Sequence, residues 1–416
     1  MTKPDTKRQG WCPTLFEPMP AGDGLLVRLK PSCSNLSIEA AIAVAEAASL
    51  YGNGIVELTS RANLQFRGFS SSTVADFSEL AVSLGLGSAD PRREKIRNVL
   101  TSPLGGDDPD ALFNSHVLAS SVETSIASYP DLFALPPKFG FLVDGGGALA
   151  LSGVRADIMI RAVGDLISIE VDGSSEFATC SATDAAEAAT SLARAFVRVN
   201  ASHDHPFGRM RDLVGSLGTR AIFDIAGLKP CSPRNARGGS NVSVSGLLSF
   251  NSPRYLAVSL PYGEISADQM IGLATAARTA GAGRLGLTPW RSLVFPGISL
   301  PDADHVKAWA ESAGLITRPC DPRLQIAACP GSPRCANATV RSREDADFIA
   351  SLDLPERNSV HISACGKGCA RQTAADFTLV GNLDGLYSLV RYGRATDVPE
   401  SHGLNIEQAA QRMRGS

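Results

Sequence analysis

The chain has 416 residues, too many for one small core, and length alone allows about two to four domains. Its 44% hydrophobic and 19% charged content suits a globular protein rather than a disordered one. A net charge of −3 without a dense Lys/Arg run offers no field for nucleic acid or an anionic membrane surface.

Residues 1–10 (MTKPDTKRQG) are polar and lack the apolar stretch of a signal peptide. No run of about 18 apolar residues follows, so no membrane partner and a cytoplasmic location are expected. Nine cysteines without an export signal point to metal ligands rather than a disulfide framework. Five of them, Cys12, Cys33, Cys180, Cys231 and Cys320, are scattered and read as small buried hydrophobes.

Residues 1–20 form an N-terminal extension. A first half-domain over 21–85 opens with the strand pattern GLLVRLKP (24–31). It continues through a helix near 36–50, the turn Gly52-Asn-Gly54 and the strand LTSRANLQFRGF (58–69). A larger α/β segment over 90–225 holds strands at 138–143, 157–163 and 166–171 and a helix at 184–199. A Pro/Gly-rich linker is expected over 229–245. A second half-domain over 246–305 repeats the first, with YLAVSLPY (255–262), a helix near 267–280 and LTPWRSLVFPGI (287–298). Ser266 and Gln269 are spaced as a capping box at the start of that helix. Residues 315–416 make a second α/β domain with the remaining cysteines and a strand at 377–380.

Each half-domain therefore reads strand, helix, turn, strand, half of a ferredoxin-like unit, and the spacing of about 230 residues implies duplication rather than a solenoid. The run Gly281-Ala-Gly-Arg-Leu-Gly286 matches G-x-G-x-x-G, but it follows a helix and opens a strand. A dinucleotide site needs the reverse order, so this is a helix C-terminal turn, and no nicotinamide site is expected.

Cys329-Pro-Gly-Ser-Pro-Arg-Cys335 gives C-x5-C and Cys365-Gly-Lys-Gly-Cys369 gives C-x3-C, with 29 residues between the pairs. Four thiolates suit zinc or an iron–sulfur cluster. Structural zinc prefers tighter knuckles, which favours iron–sulfur, and loops rich in Gly and Pro free backbone N–H groups for cluster sulfides. A [4Fe–4S] cluster on Cys329, Cys335, Cys365 and Cys369 is expected.

This cysteine pattern resembles the cluster signature of the sulfite and nitrite reductase haemoproteins, and the likeness runs over roughly residues 20–385. Leu58-Thr-Ser-Arg61-Ala-Asn-Leu-Gln-Phe resembles their T-x-R-x-x-x-Q stretch, Arg97-Asn-Val99 their second arginine segment, and Leu135-Pro-Pro-Lys138-Phe139 their lysine segment. The resemblance implies an α+β fold on a duplicated plan, with two ferredoxin-like half-domains pairing and two larger α/β domains. It also implies that Arg61, Arg97 and Lys138 bind anionic groups of a tetrapyrrole or its small substrate.

The reductases carry a second lysine two residues after the first, where this chain has Gly140. Losing that cation argues against six-electron reduction of sulfite or nitrite. Cys12-Pro, Met19-Pro-Ala-Gly22-Asp-Gly24 and Arg97-Asn-Val-Leu-Thr-Ser-Pro-Leu-Gly-Gly106 resemble instead the branch serving aerobic cobalamin biosynthesis. That likeness implies an oxygen-dependent monooxygenase acting on precorrin-3A, with hydroxylation at C20 and lactone formation. O2, a separate NADH-dependent electron donor and a mononuclear non-haem iron are implied with it, whereas siroheme belongs only to the alternative, a sulfite or nitrite reductase. His203-Asp-His205 is the one close His/Asp group and reads as a solvated turn, and His361 as a core strand residue.

Overall fold

Two helices of matching construction, Ile38–Tyr51 and Ala267–Thr279, frame the molecule. The computed structural model describes residues 12–231, 246–249, 254–352 and 358–414. Residues 1–11 of the N-terminal extension and 232–245 of the expected linker lie outside the described residues.

Each helix starts at a serine that satisfies an otherwise orphaned backbone donor. Ser37 Oγ accepts from Ala40 N at 3.1 Å. Ser266 completes the expected capping box, with Gln269 N donating to its hydroxyl at 3.1 Å and its own N–H donating to Gln269 Oε1 at 2.8 Å. Before each cap the chain passes through a left-handed residue, Cys33 (φ 58°) or Tyr262 (φ 54°). The helices pack on one another through alanine-rich faces, where small side chains allow close approach.

The half-domains pair by exchanging strands. One antiparallel sheet runs in the order Met19–Ala21, Gly24–Leu29, Leu64–Phe69, Ile55–Leu58 and then Glu264–Ser266 from the other half. Its counterpart runs Gly246–Ser249, Arg254–Ser259, Ser292–Pro296, Arg284–Leu287 and then Asn35–Ser37. The halves thus build two five-stranded sheets rather than completing one. Each sheet's edge is closed by the short strand that leads into the other half's helix.

The strand registers correct the repeat alignment. Arg28 pairs with Gln65, and Ala257 with Val294, while Leu64 and Leu293 hold the same place in the repeat. Arg28 therefore corresponds to Ala257 and Lys30 to Ser259, two residues from where the short apolar stretches alone align them. Strand side chains repeat with period two, so both registers keep the apolar face inward and sequence alone does not separate them.

The duplication extends into the α/β segments. Val99–Thr101, Phe141–Asp144 and Ile158–Val163 are parallel neighbours, followed by antiparallel Leu166–Val171 and Phe177–Cys180. Ile326–Ala328, Val360–Ser363 and Ala375–Gly381 repeat this parallel run, followed by antiparallel Tyr387–Gly393 and Ser401–Leu404. Each sheet packs its helices on an apolar core of its own, and the exchanged half-domains share a third. Among the described residues no helix is long and apolar enough to cross a membrane.

One expected strand begins later. Residues 138–140 are not part of it, because Phe139 N donates to Pro136 O at 2.9 Å in a turn set by Pro136 and Pro137. Lys138 is left on an exposed loop.

Candidate active site: a cation-lined cavity and a cysteine-bearing sheet end

Arg28 and Lys30 alternate with the core residues Val27 and Leu29, so both face away from the helices. They meet the Thr59–Asn63 turn and the first α/β sheet around a cavity of about 200 Å³. Its charged lining is Arg28, Lys30, Arg61, Lys138 and Arg209, with Cys12, Asn98 and Gly140 between them. Five cations around so small a volume constitute a site for a molecule with several negative groups.

The wall is held from behind. Fully buried Asp157 accepts from Arg209 Nε at 2.9 Å, from Gly140 N at 3.0 Å and from Met210 N at 2.9 Å. Asn98 Nδ2 donates to Pro137 O at 3.2 Å and Phe139 O at 3.0 Å, fixing the loop that carries Lys138. Arg61 Nη1 donates to Arg155 O at 2.5 Å. Lys138 has no hydrogen bond or ion pair among the described residues and stays free to meet a ligand.

Lys30 is 4% exposed and donates to Glu94 O at 3.0 Å and Lys95 O at 3.1 Å. Burial, reinforced by Arg28 and Arg97 against the pull of Glu94, brings its pKa down to about 8. Burial likewise lowers Arg28, whose partners are Cys12 and Gln65, and its buried Nε is left without one.

Of the three basic residues expected from sequence, Arg61 and Lys138 line this cavity and Arg97 does not. Arg97 bonds Glu94 at 2.8 Å, Ser32 Oγ at 2.8 Å and Lys30 O at 3.2 Å, and so braces the backbone behind Lys30. Arg28, Lys30 and Arg209 were not foreseen. The alternation of Arg28 and Lys30 on one strand face was a usable signal; Arg209 reaches the cavity only through tertiary folding. Cys12, expected as a buried hydrophobe, stands half-buried on the cavity wall.

Cys329 and Cys365 follow the C-terminal ends of Ile326–Ala328 and Val360–Ser363, and the loops beyond bring Cys335 and Cys369 within electrostatic reach of them. Cys329 is buried, and its sulfur accepts from Ala364 N at 3.2 Å and lies 3.4 Å from Ser342 Oγ. Burial pushes the Cys365 and Cys369 thiols up, and in both the neighbouring thiols raise them further. The first cysteine loop docks on the half-domain through Gly22 N, which donates to Arg334 O at 3.0 Å. A Cβ at Gly22 would stand 2.4 Å from Pro333 O, so only glycine permits this approach.

Between cavity and cysteine loops runs a buried polar chain. Arg28 Nη2 donates to Gln65 Oε1 at 3.0 Å and Gln65 Nε2 to Glu57 Oε2 at 2.6 Å. Glu57 also binds Arg67 at 3.2 Å and Arg343 at 2.6 Å, and Arg67 Nη2 reaches Arg334 O at 2.8 Å. Burial opposes the Glu57 charge, but Arg343 and Arg67 outweigh it and hold the carboxyl at about 2.

Among the described residues no group of three or more His, Cys, Asp or Glu converges as ligands of a single ion. The donor chemistry at the cysteines suits a cluster instead: four soft thiols, one already accepting a backbone N–H, with each thiolate taking its own iron. The described residues bring together no ligand set for a mononuclear iron. His203 and His205 sit on an exposed loop, with the His203 ring 5.1 Å from Phe207.

The exchanged half-domains and the two α/β domains make a nitrite/sulfite-reductase-like fold. Residues 17–83 and 252–312 match the Nitrite/Sulfite reductase ferredoxin-like half domain. The fold matches the Mycobacterium tuberculosis NirA protein, with a TM-score of 0.71 at 17% identity over 93% of this chain and 79% of that one. Ferredoxin–nitrite reductase from Synechococcus elongatus is 24% identical over 90% of this chain and 79% of its own. Precorrin-3B synthase from Sinorhizobium sp is 31% identical over 95% of this chain and 85% of its own, and this chain belongs to the precorrin-3B synthase family.

Proposed function

We propose that this chain is an oxygen-dependent monooxygenase that converts precorrin-3A to precorrin-3B, by C20 hydroxylation and lactone formation. The observation that carries the reading is the cavity lined by Arg28, Lys30, Arg61, Lys138 and Arg209. Such a ring of cations suits the acetate and propionate arms of a metal-free tetrapyrrole. Guanidinium forks bind carboxylates through paired hydrogen bonds, while Lys138 adds a mobile point charge.

Gly140 contributes a wall without a side chain, where a lysine would take room and add charge. A cavity of about 200 Å³ would receive carboxylate arms of the tetrapyrrole rather than the whole macrocycle, and it lacks the second lysine of the reductases. Lys30, with a pKa of about 8, can hold or release a proton at Nζ beside the bound macrocycle.

Cys329, Cys335, Cys365 and Cys369 would hold a [4Fe–4S] cluster, which supplies single electrons when bound. These come in this reading from a separate NADH-dependent donor, with O2 as co-substrate. The mononuclear non-haem iron that the resemblance implies belongs to this reading as well; its ligands are not among the groups the described residues bring together.

The test is anaerobic purification with iron, sulfide and visible-absorption analysis, then oxygen consumption with precorrin-3A and reductant. Iron in excess of sulfide, no haem-type bands and substrate-dependent oxygen uptake are expected. Arg61→Ala should weaken binding of the macrocycle tenfold or more with iron content unchanged. Siroheme bands together with nitrite or sulfite reduction would return the chain to the reductases.

A further inference from the structure

His361 is 0% exposed, and neither ring nitrogen has a hydrogen-bond partner. It lies in the central parallel strand Val360–Ser363, whose end carries Cys365 and Cys369. Its Cε1 is 3.6 Å from where a Cβ on Gly368 would stand, so the ring lies directly beneath the second cysteine loop. Gly368 has φ +61°, the left-handed conformation that favours glycine, and its bareness keeps that loop close to the ring.

The duplicated fold provides an internal control. In the first α/β sheet Phe141 pairs with Val99 and Ile158, and in the second Val360 pairs with Ile326 and Phe377. Leu142 and His361 therefore occupy the same place in the two copies. Leu142 is fully buried in an apolar core. The architecture asks only for apolar bulk at this position, and the cysteine-bearing copy places there a ring with two unsatisfied polar atoms. A buried polar group without a partner is costly, and natural structures keep one where something else satisfies it.

Besides a buried water, two things could satisfy it: a metal ion taking a nitrogen, or an electron-rich acceptor taking the N–H. Arg291 and Arg371 decide between them. Arg291 Nη2 donates to Ala370 O at 3.0 Å, inside the same loop, and both guanidinium charges act on the imidazole. Together with burial they bring the His361 pKa down to about 4, so the ring is uncharged at neutral pH and has one N–H to give. A cationic surrounding repels a bare metal ion and favours the anionic sulfur of a thiolate-ligated cluster.

We propose that His361 donates its N–H to a sulfur of the cluster held by Cys329, Cys335, Cys365 and Cys369, and so raises the cluster's reduction potential. The inference rests on the cluster assignment above. Hydrogen bonds to cluster sulfurs stabilise the reduced, more negative state. His361 is in this sense a positioning and tuning residue rather than a catalytic one.

The test is an EPR-monitored redox titration of the purified holoprotein beside His361→Leu and His361→Gln. Leucine is the residue the first copy already accommodates, so the variant retains the packing. His361→Leu should make reduction about tenfold less favourable, a downward shift of about 59 mV for one electron. His361→Gln keeps an N–H and should shift less. An unchanged potential in His361→Leu at full iron and sulfide content would overturn the proposal, as would equal shifts in the two variants. Should His361→Leu fail to retain the cluster, pulsed EPR on the reduced wild-type protein with isotopically labelled histidine decides. A weak nitrogen coupling is expected; its absence, or the strong coupling of a direct ligand, would overturn the hydrogen bond. Wild-type protein without iron and sulfide would bring down the cluster assignment itself.

Discussion

Lys30 shows how one buried amine links the cavity to the stability of the fold. Its pKa falls from the ordinary 10.5 to about 8, so the folded state binds its proton less tightly than the unfolded chain does. The charged amine therefore costs stability at neutral pH, and the cost is relieved as pH rises from about 8 toward 10.5. At about 1.4 kcal/mol per pKa unit the relief is roughly 3 kcal/mol. Lys30→Met should be more stable than wild type at pH 7 and lose this advantage by pH 10, as followed by denaturant unfolding. An identical pH profile in the two proteins would exclude Lys30 as the titrating group. In the proposed function the same amine would gain a counter-charge from a polycarboxylate.

At the scale of elements, the two half-domains share a backbone and differ in what they carry. Their helices begin alike, and the turns after Leu58 and Leu287 both place a non-glycine residue in the left-handed region, Ala62 at φ 52° and Arg291 at φ 62°. The cavity face differs. Arg28, Gln65 and Arg61 in the first copy correspond by register to Ala257, Val294 and Trp290 in the second. There Ala257 and Val294 are buried with Leu104, Leu149 and Tyr255, against Trp290, so the equivalent hollow is filled with apolar core. One copy lines a cation-bearing cavity, and the other fills the same place with packing. The helix starts, by contrast, are structural in both. Ser266→Ala removes the Ser266 hydroxyl that satisfies Gln269 N, and should cost about 1 kcal/mol in denaturant unfolding without changing iron content.

For the whole molecule, the tie between the half-domain and the cysteine domain is ionic. Glu57 lies at its centre with Arg67 and Arg343, while Glu264 from the exchanged strand pairs with Arg334 and Arg343. Holding Glu57 at about 2 instead of its ordinary 4.5 corresponds to roughly 3 kcal/mol. That contribution is complete above pH 4.5 and is lost as pH falls toward 2. Glu57→Gln should be destabilised by about 3 kcal/mol at pH 7, because two buried guanidinium groups lose a shared counter-charge. Its stability should also fall less steeply between pH 4.5 and 2 than that of the wild type. Because the tie reaches Arg334 between Cys329 and Cys335, the variant should release iron to a chelator faster.

Local chemistry was legible in the chain itself. The capping box at Ser266, the helix-terminal reading of Gly281–286 and the duplicated α+β plan each rest on contacts within a few residues or on internal repetition. Arg61 and Lys138 stand out only through short stretches that resemble motifs of the reductases, and both line the cavity. What only the tertiary structure decided is which distant groups meet. The strand exchange, the joining of Arg28 and Lys30 with Arg209 and the bracing role of Arg97 depend on packing between segments far apart in sequence. So does the burial of both His361 nitrogens, which turns an ordinary strand histidine into a probe of the cysteine site. Sequence periodicity reports which side of an element faces inward; it does not report what is waiting there, since that is set by the elements that pack against it.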